Sequence, residues 1–336
     1  MVKKRISVKL VVIAAVLATL FCVSFLIGRY PVSLQDLFCA FRCALTGDIW
    51  SGDPAVIATI VQIRLPRILL ACLVGASLAA AGSAYQGVFQ NPMAAPDLLG
   101  ASSGAAFGAA LAILSGVPGH GITALAFTFS VLAVLLAFLV GQRSHGRKVV
   151  NLILSGVMVS SLFSAGTSYI KLAADPTSQL PEITYWLMGS LSGATMEEVR
   201  FAFVPMALGI VVLISVSWRI NVLSFGDEEA RALGVQVSRL RLTVIIAATL
   251  LTAASVSVSG MIGWVGLVVP HLCRRFIGSD QRYLLVASLL FGATFLLVVD
   301  NFSRSMLATE IPIGILTALI GAPFFIYLML GEERFT

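Results

Sequence analysis

The sequence predicts an all-α membrane protein with ten transmembrane helices, on three observations. The 336 residues are 58% hydrophobic and only 11% charged, against about 25% charge in soluble domains. Apolar runs of about 20 residues recur from end to end, the length that crosses a ~30 Å hydrocarbon core. Within those runs the apolar residues do not alternate with period two, which excludes a transmembrane β-barrel.

The chain opens on Lys3, Lys4 and Arg5, followed by an apolar run from Val8 to Ile27. The pattern resembles a secretory leader. It lacks a small-residue cleavage site and is long enough to span, so it reads as a retained first helix at 8–28. Nine further spans fall at 60–83, 95–115, 121–141, 149–171, 199–219, 241–260, 262–277, 282–303 and 310–330. The eighth span, 262–277, is short; it is kept because Arg274 and Arg275 then fall on the basic side. With the N-terminus inside, 15 of the 22 Lys and Arg residues lie inside: Lys3, Lys4, Arg5, Lys9, Arg143, Arg147, Lys148, Arg219, Arg231, Arg239, Arg241, Arg274, Arg275, Arg282 and Arg334. The rest (Arg29, Arg42, Arg64, Arg67, Lys171, Arg200 and Arg304) lie outside. This bias supports an N-in, C-in topology. It also accounts for the net charge of +6 without nucleic acid. Three connections exceed simple turns: 29–59 and 172–198 outside, which are expected to carry short helices, and 220–240 inside. Among the five cysteines only Cys39 and Cys43 are spaced to pair on one helix, and no metal-ligand pattern exists.

The stretch from Arg64 to Gly108 organises the chain. It starts R-L-P-R, continues apolar from Ile68 to Ala81, then bends through Gln86, Asn91, Pro92, Pro96 and Asp97. A ladder of Gly100, Gly104 and Gly108 follows, small residues that let helices approach closely. Gly100-Ala101-Ser102-Ser103-Gly104 also matches G-x-S-x-G, but in an apolar helical run rather than at a strand-to-helix elbow. The basic loop from Gly141 to Lys148 half-resembles a phosphate loop and lacks the Lys and Ser/Thr after its second Gly. His120, His145 and His271 are scattered, so no catalytic or metal constellation emerges.

Two features point outward from the membrane. Arg64 and Arg67 share a helix face, with Pro66 suited to a first turn, and Arg304 closes the ninth span on the same side. An arginine at the bilayer centre costs roughly 2.5–3.5 kcal/mol, so these belong at the outer mouth, either snorkelling or forming a basic patch for an acidic partner. On the inner side, residues 225–234 read as a short helix. Asp227, Glu228 and Glu229 lie in its first turn, Arg231 lies late, Ala230 and Leu233 form a small apolar face, and Gly234 is the cap. It is a solvated linker helix or a helix that fits a groove on another protein. Gln86, Asn91, Asp97 and Asp300 are polar groups at membrane depth, by default pathway or pairing residues, with Asp300 four before Arg304.

R-L-P-R at 64–67, Q-G-x-F-Q-N-P-x-A-x-P-x-x-L-G from Gln86 to Gly100, Tyr185-Trp186 with Gly189-Ser190, G-L-V-V-P-H at 266–271 and the run from Glu310 to Phe325 resemble one family. This is the FecCD-type permeases, membrane subunits of binding-protein-dependent ATP-binding-cassette importers for iron-siderophores, haem and cobalamin. The likeness runs from about residue 56 to the C-terminus, with Met93 where Leu is more usual. It implies a type II importer permease fold: one transmembrane domain over 1–336, with spans 2–5 and 7–10 as two opposed four-helix sets. It implies a homodimer in a bacterial plasma (inner) membrane, with two cytoplasmic ATPases that bind ATP and Mg, and one external binding protein. No cofactor is expected in this chain, no catalytic residue, and no partner beyond these and membrane lipid.

Carried onto this sequence, the resemblance makes Arg64, Arg67 and Arg304 the binding-protein docking patch. It makes Asp227, Glu228, Glu229, Ala230, Arg231, Ala232, Leu233 and Gly234 the ATPase coupling helix within the segment 220–240. It places Asn91 and Met93, with Ser144 and His145 of the inner loop, at the gate, beside Gln86 on the pathway. Ferric siderophore is the expected cargo, with haem, cobalamin and a molybdate- or tungstate-type oxyanion as alternatives. An ion-coupled secondary transporter is the competing class, and it would show midplane carboxylates or broken helices. An intramembrane enzyme comes third, lacking a catalytic set.

Overall fold

The predicted second span is the centre of the molecule. In the computed structural model, which describes residues 2–46, 54–143, 148–307 and 309–332, a continuous helical run Pro54–Val88 passes through the interior with most of its apolar surface covered. It comprises α3 (Pro54–Ala58), a π-helical stretch Thr59–Arg64 and α4 (Leu65–Val88). Pro66 explains the join: it has no N–H and its ring crowds the carbonyl four residues back, so the turn before it widens. The Leu65 N–H accordingly reaches back to the Ile60 carbonyl.

Around this run lie α1 (Val2–Ser24), α2 (Leu34–Thr46), α5 (Ala101–Leu114), α6 (His120–Arg143), α7 (Lys148–Ala173), α8 (Gln179–Met188), α9 (Met196–Leu223), α10 (Asp227–Ala232), α11 (Val237–Ser259), α12 (Val265–Ile277), α13 (Gln281–Ser305) and α14 (Ile313–Glu332). All the regular structure among the described residues is helical. Among the described residues, seven helical runs are long and apolar enough to cross a membrane: those containing α1, α4, α6, α7, α9, α11 and α13. The other three predicted spans are occupied by α5, α12 and α14. Helices α2, α8 and α10 fall in the three long connections. The Cys39–Cys43 pairing falls on a side chain, that of Cys43, outside the described residues.

Packing follows a repeated scheme. Helix α4 lies against α12 and α13, and α11 lies against α5 and α6. Helix α5 meets α6 and α7 as α12 meets α13 and α14, while α4 and α11 touch each other at the middle. Glycines set the closest crossings. A Cβ on Gly75 would lie 2.3 Å from the Gly292 carbonyl oxygen, and one on Gly82 only 1.8 Å from that of Gly266. Gly104 and Gly108 seat α5 on α6, where a Cβ would come within 2.4 Å of the Phe129 and Leu125 carbonyls. Peripheral helices leave their apolar residues uncovered, as at Val8, Val11, Val12 and Val16 of α1, which suits hydrocarbon as the solvent.

Two spans differ from their predicted extents. The apolar run 95–115 becomes helical only at Ala101, and 262–277 only at Val265. With 14 and 13 residues, α5 and α12 are each about 20 Å long, well short of a bilayer. Each is preceded by an irregular stretch that reaches into the interior. In the first, Pro96 packs on Gly266 and Gly100 (φ +83°) turns against Ser160 of α7. In the second, Gly260 (φ +65°) and Trp264 (φ +70°) adopt left-handed backbone, and Trp264 packs on Gly321 of α14. Hydropathy does not distinguish such stretches from helix, because their side chains are equally apolar.

Candidate functional site

The chemistry-bearing residues gather at the two ends of the bundle and in a cavity between them. At the end where α1 stops and α4 begins, three arginines converge. Arg64 donates to the carbonyls of Phe25 and Tyr30. Arg67 places Nε 2.8 Å from Asp300 Oδ1 and Nη1 2.9 and 2.8 Å from the two Glu310 oxygens. Arg304 donates from Nη2 to the Ser24 carbonyl at 2.8 Å and to Asn301 Oδ1, with its Nε 3.5 Å from Asp300 Oδ2. Asn301 in turn donates to Ser24 Oγ at 2.8 Å.

All three side chains are covered rather than open to solvent. Arg64, Arg67 and Arg304 are 4%, 7% and 6% exposed. Buried guanidinium groups need counter-charge, and Asp300 and Glu310 supply it. The anticipated Asp300–Arg304 pair exists but is the longer contact; Asp300's close partner is Arg67, 233 residues away in sequence. Sequence reasoning missed Glu310. Its signal was charge balance: three arginines at membrane depth call for acids on neighbouring helix ends.

Between the ends, the two irregular stretches enclose a cavity of about 300 Å³. Leu78, Pro96, Met261, Ile262 and Trp264 form apolar walls, and Ser102, Thr252 and Asp97 supply polar groups. Asp97 is its only ionisable side chain; one carboxylate oxygen accepts the Ser102 N–H at 2.6 Å, anchoring the start of α5. The Tyr185–Ser190 motif closes the neighbourhood. The Ser190 N–H donates to the Ser259 carbonyl at 2.8 Å, and Gly189 (φ +72°) lies so close to the Met261 carbonyl that a Cβ would come within 2.4 Å.

At the opposite end, Gln86 is 3% exposed and ties α4 to α12: its Oε1 accepts from Arg274 at 3.0 Å, and its Nε2 faces the Leu267 carbonyl at 3.4 Å. Its surroundings are those of a helix–helix tie rather than an open channel wall. Asn91 and Met93 are exposed on the bend, where Asn91 Oδ1 accepts the Met93 N–H at 2.9 Å. Ser144 and His145 lie outside the described residues.

Helix α10 follows directly from its sequence. Gly226 precedes it at φ +117°, and Gly234 ends it at φ +81°. The Val235 N–H reaches the Ala230 carbonyl and the Gly234 N–H that of Arg231, both at 2.9 Å, a Schellman closure. Ala230 is fully buried, while Glu228, Glu229, Arg231 and Ala232 are exposed and flanked by exposed Phe225 and Leu233. The spacing-based reading missed the tether. Asp227 accepts two hydrogen bonds from Arg241 of α11, at 2.9 and 2.7 Å, a fork geometry that holds orientation as well as distance. No group of three or more His, Cys, Asp or Glu suited to a metal occurs among the described residues.

Residues 16–331 match the FecCD transport family. The chain is 43% identical to the molybdate import system permease MolB of Haemophilus influenzae, covering 92% of this chain and 91% of that one. It is 42% identical to the cobalamin import system permease BtuC of Halobacterium salinarum, covering 88% and 79%, and 38% identical to the hemin transport permease HmuU of Yersinia pestis, covering 82% and 84%. A solved inward-facing structure of a metal-chelate-type ABC transporter superposes with a TM-score of 0.86 at 41% identity, covering 96% of this chain and 98% of the other. The apolar helices, the repeated packing scheme and these likenesses lead to one conclusion: the chain belongs to the FecCD transport family, as a multi-pass membrane permease of the ATP-binding-cassette importer type.

Proposed function

We propose that two copies of this chain form the translocation path of an ATP-driven importer in a bacterial inner membrane, and that a metal chelate, ferric siderophore above all, is the cargo. Ten spans, N-in and C-in, then place α10 in the cytosol and the arginine cluster outside. The repeated packing of α4–α7 and α11–α14 supports two opposed four-helix sets that rock against each other about α4 and α11. The observation that carries the reading is α10. Its exposed acidic and apolar face suits a groove on a separate ATPase, which would hold ATP and Mg, and its Arg241 tether leads into a central helix. ATP-driven closure of the ATPases would move α10, then α11, and so the stretch from Gly260 to Trp264 that walls the cavity. Asn91, Met93 and the Ser144–His145 loop would form the inner gate. Relatives carrying molybdate, cobalamin and hemin keep those ligands as alternative cargoes.

The docking role of Arg64, Arg67 and Arg304 is proposed in a narrower form. The three guanidinium groups face two carboxylates, which leaves the cluster one positive charge in excess and receptive to an acidic side chain from a binding protein. Arg64, whose partners are carbonyls, is the cleanest probe. Arg64→Gln should weaken binding-protein docking about tenfold, more at low salt; an unchanged affinity at every ionic strength would remove docking from this cluster.

An ion-coupled transporter is the second reading, favoured by one observation: two interior irregular stretches flank the carboxylate of Asp97. Uptake into proteoliposomes separates the two. The importer reading expects ferric-siderophore uptake only when binding protein, ATPase and ATP are all present. Uptake by the chain alone, driven by an ion gradient, would establish the second.

A further inference from the structure

Helices α9 and α11 leave a cavity of about 570 Å³ at the end of the bundle that carries α10. Trp218 and Arg219 line it from α9, Arg239 and Thr243 from α11, and Gln236 from the connection between them. No acidic residue lines it. The Arg219 and Arg239 guanidinium groups have no hydrogen-bond or ion-pair partner among the described residues, unlike Arg241 two residues on, which holds Asp227. Trp218 is 54% exposed. Above it on the same helix face, Val204, Leu208 and Val211 are exposed at helical spacing, and Ile246 continues the face of Arg239 and Thr243 on α11. Exposed apolar residues on α9 and α11 thus lead towards an indole and two guanidinium groups without a partner among the described residues.

We propose that this cavity is a binding site for an anionic phospholipid. Its phosphodiester would sit between Arg219 and Arg239, with one acyl chain along the exposed apolar residues of α9 and α11. The chemistry fits at each level. Guanidinium forks match phosphate oxygens, an exposed Trp favours the membrane–water interface, and basic pockets between helices on the cytoplasmic side recognise anionic headgroups. Gln236 and the Thr243 hydroxyl add neutral polar groups suited to a glycerol headgroup. With the N-terminus inside, the lipid belongs to the cytoplasmic leaflet. It would clamp α9 to α11 against Leu233 and Gly234 at the end of α10, which also line the cavity.

Native mass spectrometry of the purified permease, stripped progressively of lipid, tests this with phosphatidylglycerol and phosphatidylcholine as probes. Wild-type protein should retain phosphatidylglycerol preferentially, and Arg219→Gln/Arg239→Gln should reduce that retention about tenfold or more; Arg275→Gln, at the end of α12, should leave it unchanged. Equal retention by wild type and double variant would overturn the proposal. So would displacement of the lipid by millimolar inorganic phosphate, which would make this a free-phosphate site. Loss of ATPase binding in the double variant with lipid retention intact would assign the arginines to the partner protein instead. A photoactivatable phosphatidylglycerol in wild-type nanodiscs gives a readout that needs no variant: cross-links should concentrate in residues 211–246, and their absence there would contradict the site.

Discussion

Replacing Asp300 with alanine should destabilise the permease more than any other single charge removal in the arginine cluster, by about 3–5 kcal/mol. Asp300 is fully buried and faces Arg67 at 2.8 Å and Arg304 at 3.5 Å. Its loss would leave buried Arg304 with no carboxylate and Arg67 with Glu310 alone, and an uncompensated buried charge costs far more than the pair itself contributes. Arg304 also holds the last turn of α1 through the Ser24 carbonyl, so the damage would spread to the α1–α13 contact. Glu310→Gln is the internal control. Glu310 is 26% exposed on its side chain, so water screens the change and the loss should stay near 1 kcal/mol or below. Thermal unfolding in detergent should therefore rank wild type close to Glu310→Gln and well above Asp300→Ala. Equal losses would mean that the cluster is solvated and that its burial carries no energetic weight.

Gly82→Ala should be the second severe change, although it adds a single methyl group. That methyl would sit 1.8 Å from the Gly266 carbonyl oxygen, where two backbones cross and no side chain can turn aside. Helices α4 and α12 would have to separate, shifting Pro96 and the cavity wall with them. Overpacking a core costs about 1–3 kcal/mol when side chains can adjust, and more when backbone must move. Gly263→Ala, three residues before Gly266 and with nothing within 4 Å of its would-be Cβ, should be tolerated. Yield of monodisperse protein and unfolding midpoint should fall for Gly82→Ala alone. Comparable behaviour of the two variants would show that α4 and α12 do not cross at these glycines.

Much of this architecture was legible in the residues. Each predicted span has a helix in it, and seven of them have the length and apolarity that hydrocarbon imposes on a crossing. Helix α10 was legible because its acids and its cap are local; the expected Ala230–Leu233 face was not, since Ala230 is buried and only Leu233 is exposed. The parts that stayed hidden are long-range or irregular. Arg67 pairs with Asp300, and Asp227 with Arg241, through the folded shape, which spacing along one helix does not report. The half-length α5 and α12 were read as full spans, since hydropathy scores Ala94, Ala95 and Ile262 alike in helix or in extended backbone. The glycine ladder announced close packing; its partners, Phe129 and Leu125 of α6, came only with the fold.

The account rests on energy entering through α10 from outside the chain. Ala232 is exposed on that helix, so Ala232→Cys in a cysteine-free background permits a direct measurement. A membrane-impermeant maleimide should label it only when the cytosolic face is accessible, and binding of the partner ATPase should protect it. Labelling from the external face, or labelling unaffected by saturating ATPase, would contradict the account.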